Sequence, residues 1–338
     1  MNKKIALIAF ALTFPQVASA QEVVLKIAHF LPAGAPAQQK VFQPWCDTLK
    51  ADSGGRIGCQ FYPAMQLGGT PAQLVDQVRN GVADVVWTAP GYSTGRFPRI
   101  EAFELPFVVA DAASGSRAVW QYYRAHAEAE FAAFKVLAFH VDGGQAIHTA
   151  GRGVAKLEDW KGLKLRASTR LGAKTVMALG GAPVAMPPSQ LTEAISKGVV
   201  DGAMGSWELV VPLKLDEVTK YHAQPRKGEP YPSATVLMVL MNKDKYEKLP
   251  ADLKAIIDRT TGLAMTEKLG EVFDAENAHA HEVVATSGGT VTDFSPEFAA
   301  AMREASAPVE AEWLKTLADR GIDGVPLAKA ARELAATR

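Results

Sequence analysis

Asp159-Trp160-Lys161-Gly162-Leu163-Lys164-Leu165-Arg166-Ala167-Ser168 reads as a turn followed by a short strand that ends on an arginine. Apolar and polar residues alternate after the Lys-Gly pair, which is the period of a half-buried strand. Ligands of open α/β sheets bind at the carboxyl ends of strands, where a guanidinium offers a fork of donors that matches a carboxylate. From these ten residues alone, a surface Arg166 paired with a nearby acid is the better interpretation. The rest of the chain reverses that preference.

Residues 1–20 have the pattern of a secretory signal peptide. Lys3 and Lys4 precede an apolar run over 5–14, and Ala18-Ser19-Ala20 offers small residues for cleavage. The apolar run is about half of the ~20 residues that a membrane-spanning helix needs. We therefore expect an exported, soluble chain that begins at Gln21.

Length and charge narrow the class of protein further. The 338 residues carry 36 basic and 36 acidic side chains. Loss of Lys3 and Lys4 with the signal peptide leaves a formal charge of −2, without the basic excess that nucleic-acid binding requires. The remaining 318 residues exceed one comfortable core, so we expect two domains.

Cys46 and Cys59 are the two cysteines of the chain. Cys46 lies on a helical pattern and Cys59 in the following strand, joined through a short Ser-Gly-Gly loop. In an oxidising compartment such a pair is interpreted first as a disulfide. We predict the bridge; two free buried thiols are the alternative.

The order of predicted elements is that of an α/β fold. From Glu22 to Trp87 strands and helices alternate as β-α-β-α-β, which implies a largely parallel sheet with right-handed crossovers. We interpret Gly143-Gly144 as a crossing point between domains. Beyond it, strands and helices alternate again, without a visible sequence repeat. The continuously apolar segment 234–241 predicts a strand buried on both faces that returns to the first sheet.

The segment from about 251 to 286 has no proline, and its apolar residues recur at helical spacing. A helix of that length would be ~50 Å long, which is more than one small domain spans. We therefore predict one helix that bridges both domains, with Gly262 and Gly270 as tolerated breaks.

The sequence lacks the motifs of common catalytic and metal sites. No pair of its seven histidines has metal-ligand spacing, and there is no His-Glu-x-x-His, Cys-x-x-Cys, Gly-x-Ser-x-Gly or Walker motif. We predict no catalytic residue, no metal and no cofactor. An exported two-lobe α/β chain of this kind is typical of a binding protein that closes on its ligand.

Five motifs carry a resemblance to a known family, and they follow one another over nearly the whole chain after residue 20. They are Phe61-Tyr62-Pro63-Ala64-Met65-Gln66-Leu67-Gly68-Gly69, Gly81-Val82-Ala83-Asp84, Phe103-Glu104-Leu105-Pro106-Phe107, Leu163-Lys164-Leu165-Arg166 and Gly198-Val199-Val200-Asp201-Gly202. The chain resembles the solute-binding proteins of tripartite ATP-independent periplasmic (TRAP) transporters, the DctP-like family.

The resemblance implies a periplasmic-binding-protein-like α/β fold with mixed sheets, a ligand cleft between two lobes and a long helix that bridges them. We expect lobe I over 21–143 plus about 234–272, and lobe II over 144–233 plus about 273–338. The family's ligands are mostly organic acids, held by an arginine at the position of Arg166. The resemblance further implies a periplasmic protein that delivers its ligand to a membrane permease, and we expect a monomer.

Two departures from the sialic-acid-binding members bear on the ligand. Those members carry a second arginine where this chain has Gln145 and His148, and an asparagine after the Val-Asp-Gly motif where this chain has Met204 and its neighbours. Gln145 and His148 are therefore ligand-binding candidates, and His148, Arg96 or Arg170 could serve as a second cation.

The other candidates for the cleft wall are mostly aromatic. Trp87 and Trp207 follow strand ends, where the cleft should lie, and Phe30, Tyr92 and Met204 complete the set. Glu208 fits equally as an acceptor for a ligand hydroxyl and as a partner for a lysine. An aromatic wall with one guanidinium favours an aromatic or keto monocarboxylate.

Two other functions fit the same architecture. One is an exported enzyme that acts on an organic acid, and the other is a binding protein that feeds a sensor. Turnover of a bound acid would identify the first, and a neighbouring sensor kinase gene the second.

Overall fold

Eleven strands form two mixed sheets in residues 22–337, the part of the chain that this computed structural model describes. The predicted signal peptide and Gln21 lie outside the described residues. The predicted α/β class with mixed sheets is confirmed. The strands are β1 (Val23–His29), β2 (Ile57–Tyr62), β3 (Val85–Thr88), β4 (Phe134–Val141), β5 (Ala146–Thr149), β6 (Lys164–Ala167), β7 (Ala182–Ala185), β8 (Gly202–Gly205), β9 (Tyr221–Gln224), β10 (Val236–Asn242) and β11 (Thr290–Asp293).

The first sheet has the strand order β2-β1-β3-β10-β4. Strands β1, β2 and β3 are parallel, and β10 lies antiparallel to both of its neighbours. Every residue of β10 is buried, as its continuous apolar run requires, and its predicted return to the first sheet is confirmed. The carboxyl ends of β1, β3 and β4 and the amino end of β10 therefore share one edge.

The second sheet has the order β11-β9-β5-β8-β6-β7. Strands β6, β7 and β8 are parallel, and β5 is antiparallel to β8 and β9, so the carboxyl ends of β6 and β8 lie beside the amino end of β5. We did not predict β9 from the sequence, because Tyr221-His222-Ala223-Gln224 has no apolar run and its alternation of apolar and polar residues is only four residues long. Its hydrogen bonds to β5 and β11, and not its own residue pattern, make this segment a strand.

Ten α-helices cover the sheets within residues 22–337, together with shorter 3-10 and π turns. The helices are α1 (Gln43–Asp52), α2 (Leu74–Arg79), α3 (Ala112–Tyr122), α4 (Arg170–Ala178), α5 (Leu191–Ser196), α6 (Lys243–Glu247), α7 (Ala251–Thr260), α8 (Leu263–Thr286), α9 (Pro296–Ala318) and α10 (Val325–Ala336).

The predicted single helix over about 251–286 is wrong in one respect, because two helices occupy this segment. Thr261 is extended and Gly262 has φ +69°, a conformation that glycine adopts at little cost and that no helix continues. The amide of Gly262 donates to the carbonyl of Leu137 on β4 at 2.6 Å, which fixes the break. The longer helix, α8, packs against α3 and β4 on one side and against the 3-10 helix Trp207–Leu209 on the other.

Two segments connect the sheets and lie side by side. As predicted, the chain passes from β4 to β5 through Gly143-Gly144, and residues 225–235 lead from β9 back to β10. The Asp142 amide donates to the Thr235 carbonyl at 3.1 Å, and the Gln145 amide donates to the Ser233 carbonyl at 2.8 Å. These bonds make the two connections one unit between the sheets.

The boundaries predicted for the two lobes stay a prediction, and the C-terminal segment differs from them in one detail. Helix α9 packs against α4, beside the second sheet, whereas α10 packs against α3, beside the first. The chain therefore returns to the first sheet's side in the loop around Gly321, between the end of α9 and the start of α10.

An internal repeat becomes visible once the sheets are compared. Segments 71–84 and 188–201 each form a 3-10 turn and a short helix that lead into β3 and β8, and six of their fourteen residues are identical. Asp84 and Asp201 play the same part: each carboxylate accepts from the backbone amide of a lysine, Lys26 at 2.9 Å and Lys164 at 2.7 Å. In this alignment Arg166 takes the place that Ala28 has in the first sheet, since Ala28 pairs with Val86 and Arg166 with Ala203.

The predicted disulfide between Cys46 and Cys59 is confirmed. It joins α1 to β2, which pack against each other, and the two Cα atoms are 6.0 Å apart. The residues described by the structure contain no free cysteine.

We expect the paired change Cys46→Ser and Cys59→Ser to lower the free energy of unfolding by about 3 kcal/mol, because the bridge closes a short loop in the unfolded chain. Urea denaturation of the exported protein measures this loss. Dithiothreitol should destabilise the native chain and leave the doubly substituted chain unaffected. Equal stability of the two chains under non-reducing conditions would contradict the prediction.

Candidate ligand site between the two sheets

Arg166 lies at the end of β6 and is 1% exposed. Its Nη1 donates to the Ser168 hydroxyl at 2.7 Å, and its Nε lies 3.4 Å from the Met186 carbonyl. Its Nη2 has no hydrogen-bond partner, and no carboxylate among residues 22–337 forms an ion pair with it. A buried guanidinium without a counter-charge is costly, so a surface pair with an acid does not account for this residue.

A cavity of about 20 Å³ lies against this guanidinium. It lies between the two sheets, where the carboxyl ends of β1, β3 and β4 face the carboxyl ends of β6 and β8. It encloses little more than the room for one water molecule. Its lining combines apolar and polar side chains from both sheets. The lining residues are Phe30, Leu31, Trp87, Tyr92, Asp142, Arg166, Ser168, Pro188, Ser206, Glu208, Leu209, Thr235 and Leu237.

A larger groove of about 560 Å³ adjoins the cavity. Tyr92, Ser168 and Pro188 line both spaces. Met177 and Met186, both from the second sheet's side, add apolar surface to the groove. The three shared residues therefore stand between Arg166 and the more open part of the cleft.

Aromatic rings from the first sheet form one wall of the cavity. Phe30, directly after β1, stacks on Trp87 of β3 with ring centres 5.1 Å apart and meets Tyr92 edge-on at 5.4 Å. Trp87 Nε1 donates to His140 Nε2 at 2.9 Å, and burial lowers the pKa of His140 to about 3. The wall is thus held in part by a neutral imidazole, and its three aromatic rings all line the cavity.

A polar network joins Arg166 to the connections between the sheets. Gln145 Nε2 lies within hydrogen-bond distance of the Ser168 hydroxyl (2.9 Å), the Thr235 hydroxyl (2.6 Å) and an Asp142 carboxylate oxygen (3.2 Å). Burial raises the pKa of Asp142 above its usual range. Since Ser168 also accepts from Arg166, the cation is tied through two side chains to the residues that flank Gly143-Gly144.

Glu208 brings a second carboxyl group to the cavity. One of its oxygens accepts from the Ser206 hydroxyl at 3.0 Å, and its amide donates to Asn277 of α8 at 2.8 Å. Burial, with a smaller contribution from the nearby charge of Asp142, raises the pKa of Glu208 to about 8. Glu208 is therefore mostly protonated at pH 7.

Comparison with known families identifies the chain. The profile of a family described as DctP, bacterial extracellular solute-binding protein family 7, matches residues 27–316. The chain belongs to the DctP family. The resemblance inferred from the five sequence motifs is thereby confirmed, and the fold and family are those of transport solute-binding proteins.

Solved structures of TRAP solute-binding proteins are similar to this DctP-family chain over most of its length. One from Rhodoferax ferrireducens T118, in complex with copurified benzoate, is 39% identical, with a TM-score of 0.90 over 93% of this chain and 98% of that one. One from a marine metagenome, specific for aromatic acid ligands and in complex with metahydroxyphenylacetate, is 41% identical, with a TM-score of 0.90 over 93% and 98%. One from Bordetella bronchiseptica, with bound (R)- and (S)-mandelate, is 26% identical, with a TM-score of 0.84 over 93% and 98%.

These similarities make the DctP-family chain a TRAP solute-binding protein, a class that binds small molecules and works with membrane permease components. No helix between residues 22 and 337 has the length and apolar character needed to cross a lipid bilayer. No group of three or more His, Cys, Asp or Glu side chains in the same range is placed to hold a metal ion.

The structure brings five of the nine predicted ligand residues of this DctP-family chain to one cavity. They are Arg166, Trp87, Phe30, Tyr92 and Glu208. Gln145 stands just behind, in contact with Ser168. Whether these residues touch ligand stays a prediction.

Trp207, Met204 and His148 lie outside the cavity lining. Trp207 packs against three imidazoles, those of His148 (4.9 Å), His222 (5.3 Å) and His281 (3.9 Å between ring centres). Met204 joins the hydrophobic core of the second sheet, because successive side chains of β8 point to opposite faces and its neighbour Ala203 pairs with Arg166. The role of these three residues as ligand contacts stays a prediction without support from their position.

His148 is also unsuited to serve as a second cation. Its Nδ1 is 2.8 Å from Nδ1 of His222, and its Nε2 is 3.1 Å from the Gly205 carbonyl. Burial and, secondarily, the charge of His222 lower the pKa of His148 to about 3, so it is neutral at physiological pH.

Sequence reasoning missed four polar residues of the cavity: Asp142, Ser168, Ser206 and Thr235. Asp142, Ser168 and Ser206 directly follow β4, β6 and β8, and Thr235 directly precedes β10. Position next to a strand end is therefore a signal for small polar side chains as well as for aromatic and charged ones.

Proposed function

We propose that this chain is the periplasmic component of a TRAP transporter that captures a small aromatic monocarboxylate, with the ligand carboxylate on Arg166, and delivers it to the membrane permease. The observation that carries the proposal is the buried Arg166 with an unpartnered Nη2. A carboxylate accepts two parallel hydrogen bonds from a guanidinium and supplies the missing counter-charge.

The other lining residues support one carboxylate and a flat body. Arg166 is the single cationic residue in the lining, and Asp142 and Glu208 face the same space. A second ligand carboxylate would lie near these acids without a cation, which is costly in a buried site. The stacked Phe30 and Trp87 rings offer the apolar contact that an aromatic ring prefers.

The similar structures point the same way. The chain's counterparts from Rhodoferax ferrireducens and from the marine metagenome are described as binding benzoate and aromatic acids. At about 40% identity over nearly the full chain, a shared ligand class is the simplest inference. It narrows the predicted choice between aromatic and keto acids to the aromatic ones.

Binding requires the cavity to widen. A benzene ring occupies a cavity of roughly 150 Å³, well above the volume of about 20 Å³ that these side chains enclose. We infer that the two sheets move apart about the paired connections at Gly143-Gly144 and 225–235, and close again on the ligand. Such a cycle agrees with a chain that is exported after loss of residues 1–20, acts as a monomer and hands its ligand to a permease.

A thermal-shift panel tests this function. We expect benzoate and 3-hydroxybenzoate to raise Tm by about 5 °C when present at about 100 times Kd, because such occupancy adds about 2.7 kcal/mol to the free energy of unfolding. Pyruvate, succinate and glucuronate serve as controls for keto acids, dicarboxylates and sugar acids. Stabilisation by any of these three with none by the aromatic acids would contradict the proposal.

A further inference from the structure

Glu208 is a buried carboxyl group that no cation neutralises. It is 5% exposed, lines the same cavity as Arg166, and forms no ion pair within the described range 22–337. The Ser206 hydroxyl holds one of its oxygens and Asn277 holds its backbone. A carboxyl group fixed in this way is available to a ligand through its remaining hydrogen-bonding capacity.

Burial and the two acidic groups that face Glu208 favour its neutral form, and the cation that faces it, Arg166, opposes them with a smaller effect. Asp142 follows β4, Glu276 lies on α8, and Arg166 stands on β6, while the Tyr92 phenol approaches from the segment after β3. Burial and the Asp142 charge together raise the pKa of Glu208 to about 8. A protonated carboxyl both donates and accepts hydrogen bonds, which suits a hydroxyl group better than a second carboxylate.

We propose that Glu208 is a specificity-determining residue that binds a hydroxyl group on the aromatic ring, so that the preferred ligands are hydroxylated aromatic monocarboxylates. This inference rests on the proposed function, since it takes the ligand carboxylate to lie on Arg166. The two residues then hold the two polar ends of one ligand, and the Phe30 and Trp87 rings contact its apolar middle.

The preference for a hydroxylated ligand follows from the hydrogen-bonding capacity of Glu208 that an unhydroxylated ring would leave unpaired. Benzoate would fill the space without a hydroxyl group and bury the free capacity of Glu208 unpaired. Sites built to hydrogen-bond a ligand hydroxyl discriminate strongly against analogues that lack it. We expect the preferred hydroxybenzoate isomer to bind about ten- to a hundredfold more tightly than benzoate.

Calorimetric titration of the full exported chain with benzoate, 3-hydroxybenzoate and 4-hydroxybenzoate at pH 7 tests the inference. Glu208→Leu should reduce the hydroxyl preference to within about twofold, because leucine neither bonds to a ligand hydroxyl nor leaves hydrogen-bonding capacity unpaired beside benzoate, whereas Glu208→Gln should keep most of the preference. Glu130→Gln is the matched control. Glu130 is also a carboxyl whose pKa burial raises, to about 7, but it bonds to the Arg99 and Ile100 amides away from the cavity.

A pH series supplies a second readout that a merely structural role would not change. Above about pH 8 an ionised Glu208 would face the ligand carboxylate, so benzoate affinity should fall by up to about tenfold per pH unit. The decline should persist in Glu130→Gln and disappear in Glu208→Gln, which also covers the case that Glu208→Leu does not fold.

The outcomes separate the two proposals. If wild type binds benzoate but shows no hydroxyl preference, or if the preference survives in Glu208→Leu, the role of Glu208 is contradicted and the proposed function stands. A decline above pH 8 that persists in Glu208→Gln also contradicts that role. If no aromatic acid binds to wild type, the proposed function itself fails.

Discussion

Replacing Arg166 with alanine should weaken benzoate binding by about 2–5 kcal/mol, which is roughly 30-fold to several thousandfold in Kd. The substitution removes the cation on which the ligand carboxylate is proposed to lie. Arg166→Lys should also weaken binding, because one ammonium cannot make the two parallel bonds of a guanidinium. Calorimetric titration of the three chains measures both effects.

Arg166→Ala should not lower the thermal stability of the protein without ligand. Arg166 is buried and its Nη2 has no partner in the described chain, so its removal relieves a desolvated charge. We therefore expect Tm in the absence of ligand to be unchanged or higher. Arg152→Ala is the control, because Arg152 is exposed and its Nη2 donates only to the Lys161 carbonyl at 2.8 Å. Affinity of Arg166→Ala within about threefold of wild type would contradict the anchor role.

Gly144→Ala should destabilise the fold by about 2–6 kcal/mol. Gly144 has φ +108°, a backbone conformation that costs other residues about 1–3 kcal/mol. An added Cβ would lie 2.3 Å from the Tyr231 ring, and such overpacking costs about 1–3 kcal/mol more. Tyr231 cannot yield easily, because its backbone bonds to Phe107 and Val109 at 2.9 Å each.

Gly162→Ala separates the cost of the backbone conformation from the cost of the close contact with Tyr231. Gly162 has φ +79°, and an added Cβ there would meet nothing within 4 Å, so this variant carries the backbone cost alone. Urea denaturation should place Gly144→Ala clearly below Gly162→Ala in the free energy of unfolding. Equal losses in the two variants would show that the close contact with Tyr231 does not restrain the connection between the sheets.

The first sheet was predictable because its signals are local. The apolar run of β10 and the alternation of strands and helices from Glu22 to Trp87 are visible without knowledge of the fold. The break at Gly262 was not predictable, since glycine also occurs inside α8, where Gly270 packs against the backbone of α3. What distinguishes the two glycines is a hydrogen bond to Leu137, a partner more than a hundred residues away.

The internal repeat escaped detection for a related reason. Segments 71–84 and 188–201 share six identities, too few to stand out until the pairing of Asp84 with Lys26 and of Asp201 with Lys164 shows their equivalence. Strand β9 was missed because its pairing partners, and not its own residues, make it a strand.

For the candidate site, the position of Arg166 at a strand end was readable from the sequence, and so were the aromatic residues near the ends of β1 and β3. Sequence position could not decide the direction of each side chain. Trp207 and Glu208 are adjacent, yet Glu208 lines the cavity and Trp207 packs among histidines. Asp142 was overlooked because its significance depends on Thr235, which reaches it from the segment before β10, and on the direction of the Gln145 side chain three residues away.

A crystal structure of the protein grown with benzoate tests the central claim most directly. The account predicts the benzoate ring against Phe30 and Trp87, with both carboxylate oxygens about 3 Å from the Arg166 guanidinium nitrogens. Benzoate bound at full occupancy with its carboxylate on another cation, and with Arg166 still without an acid partner, would contradict it.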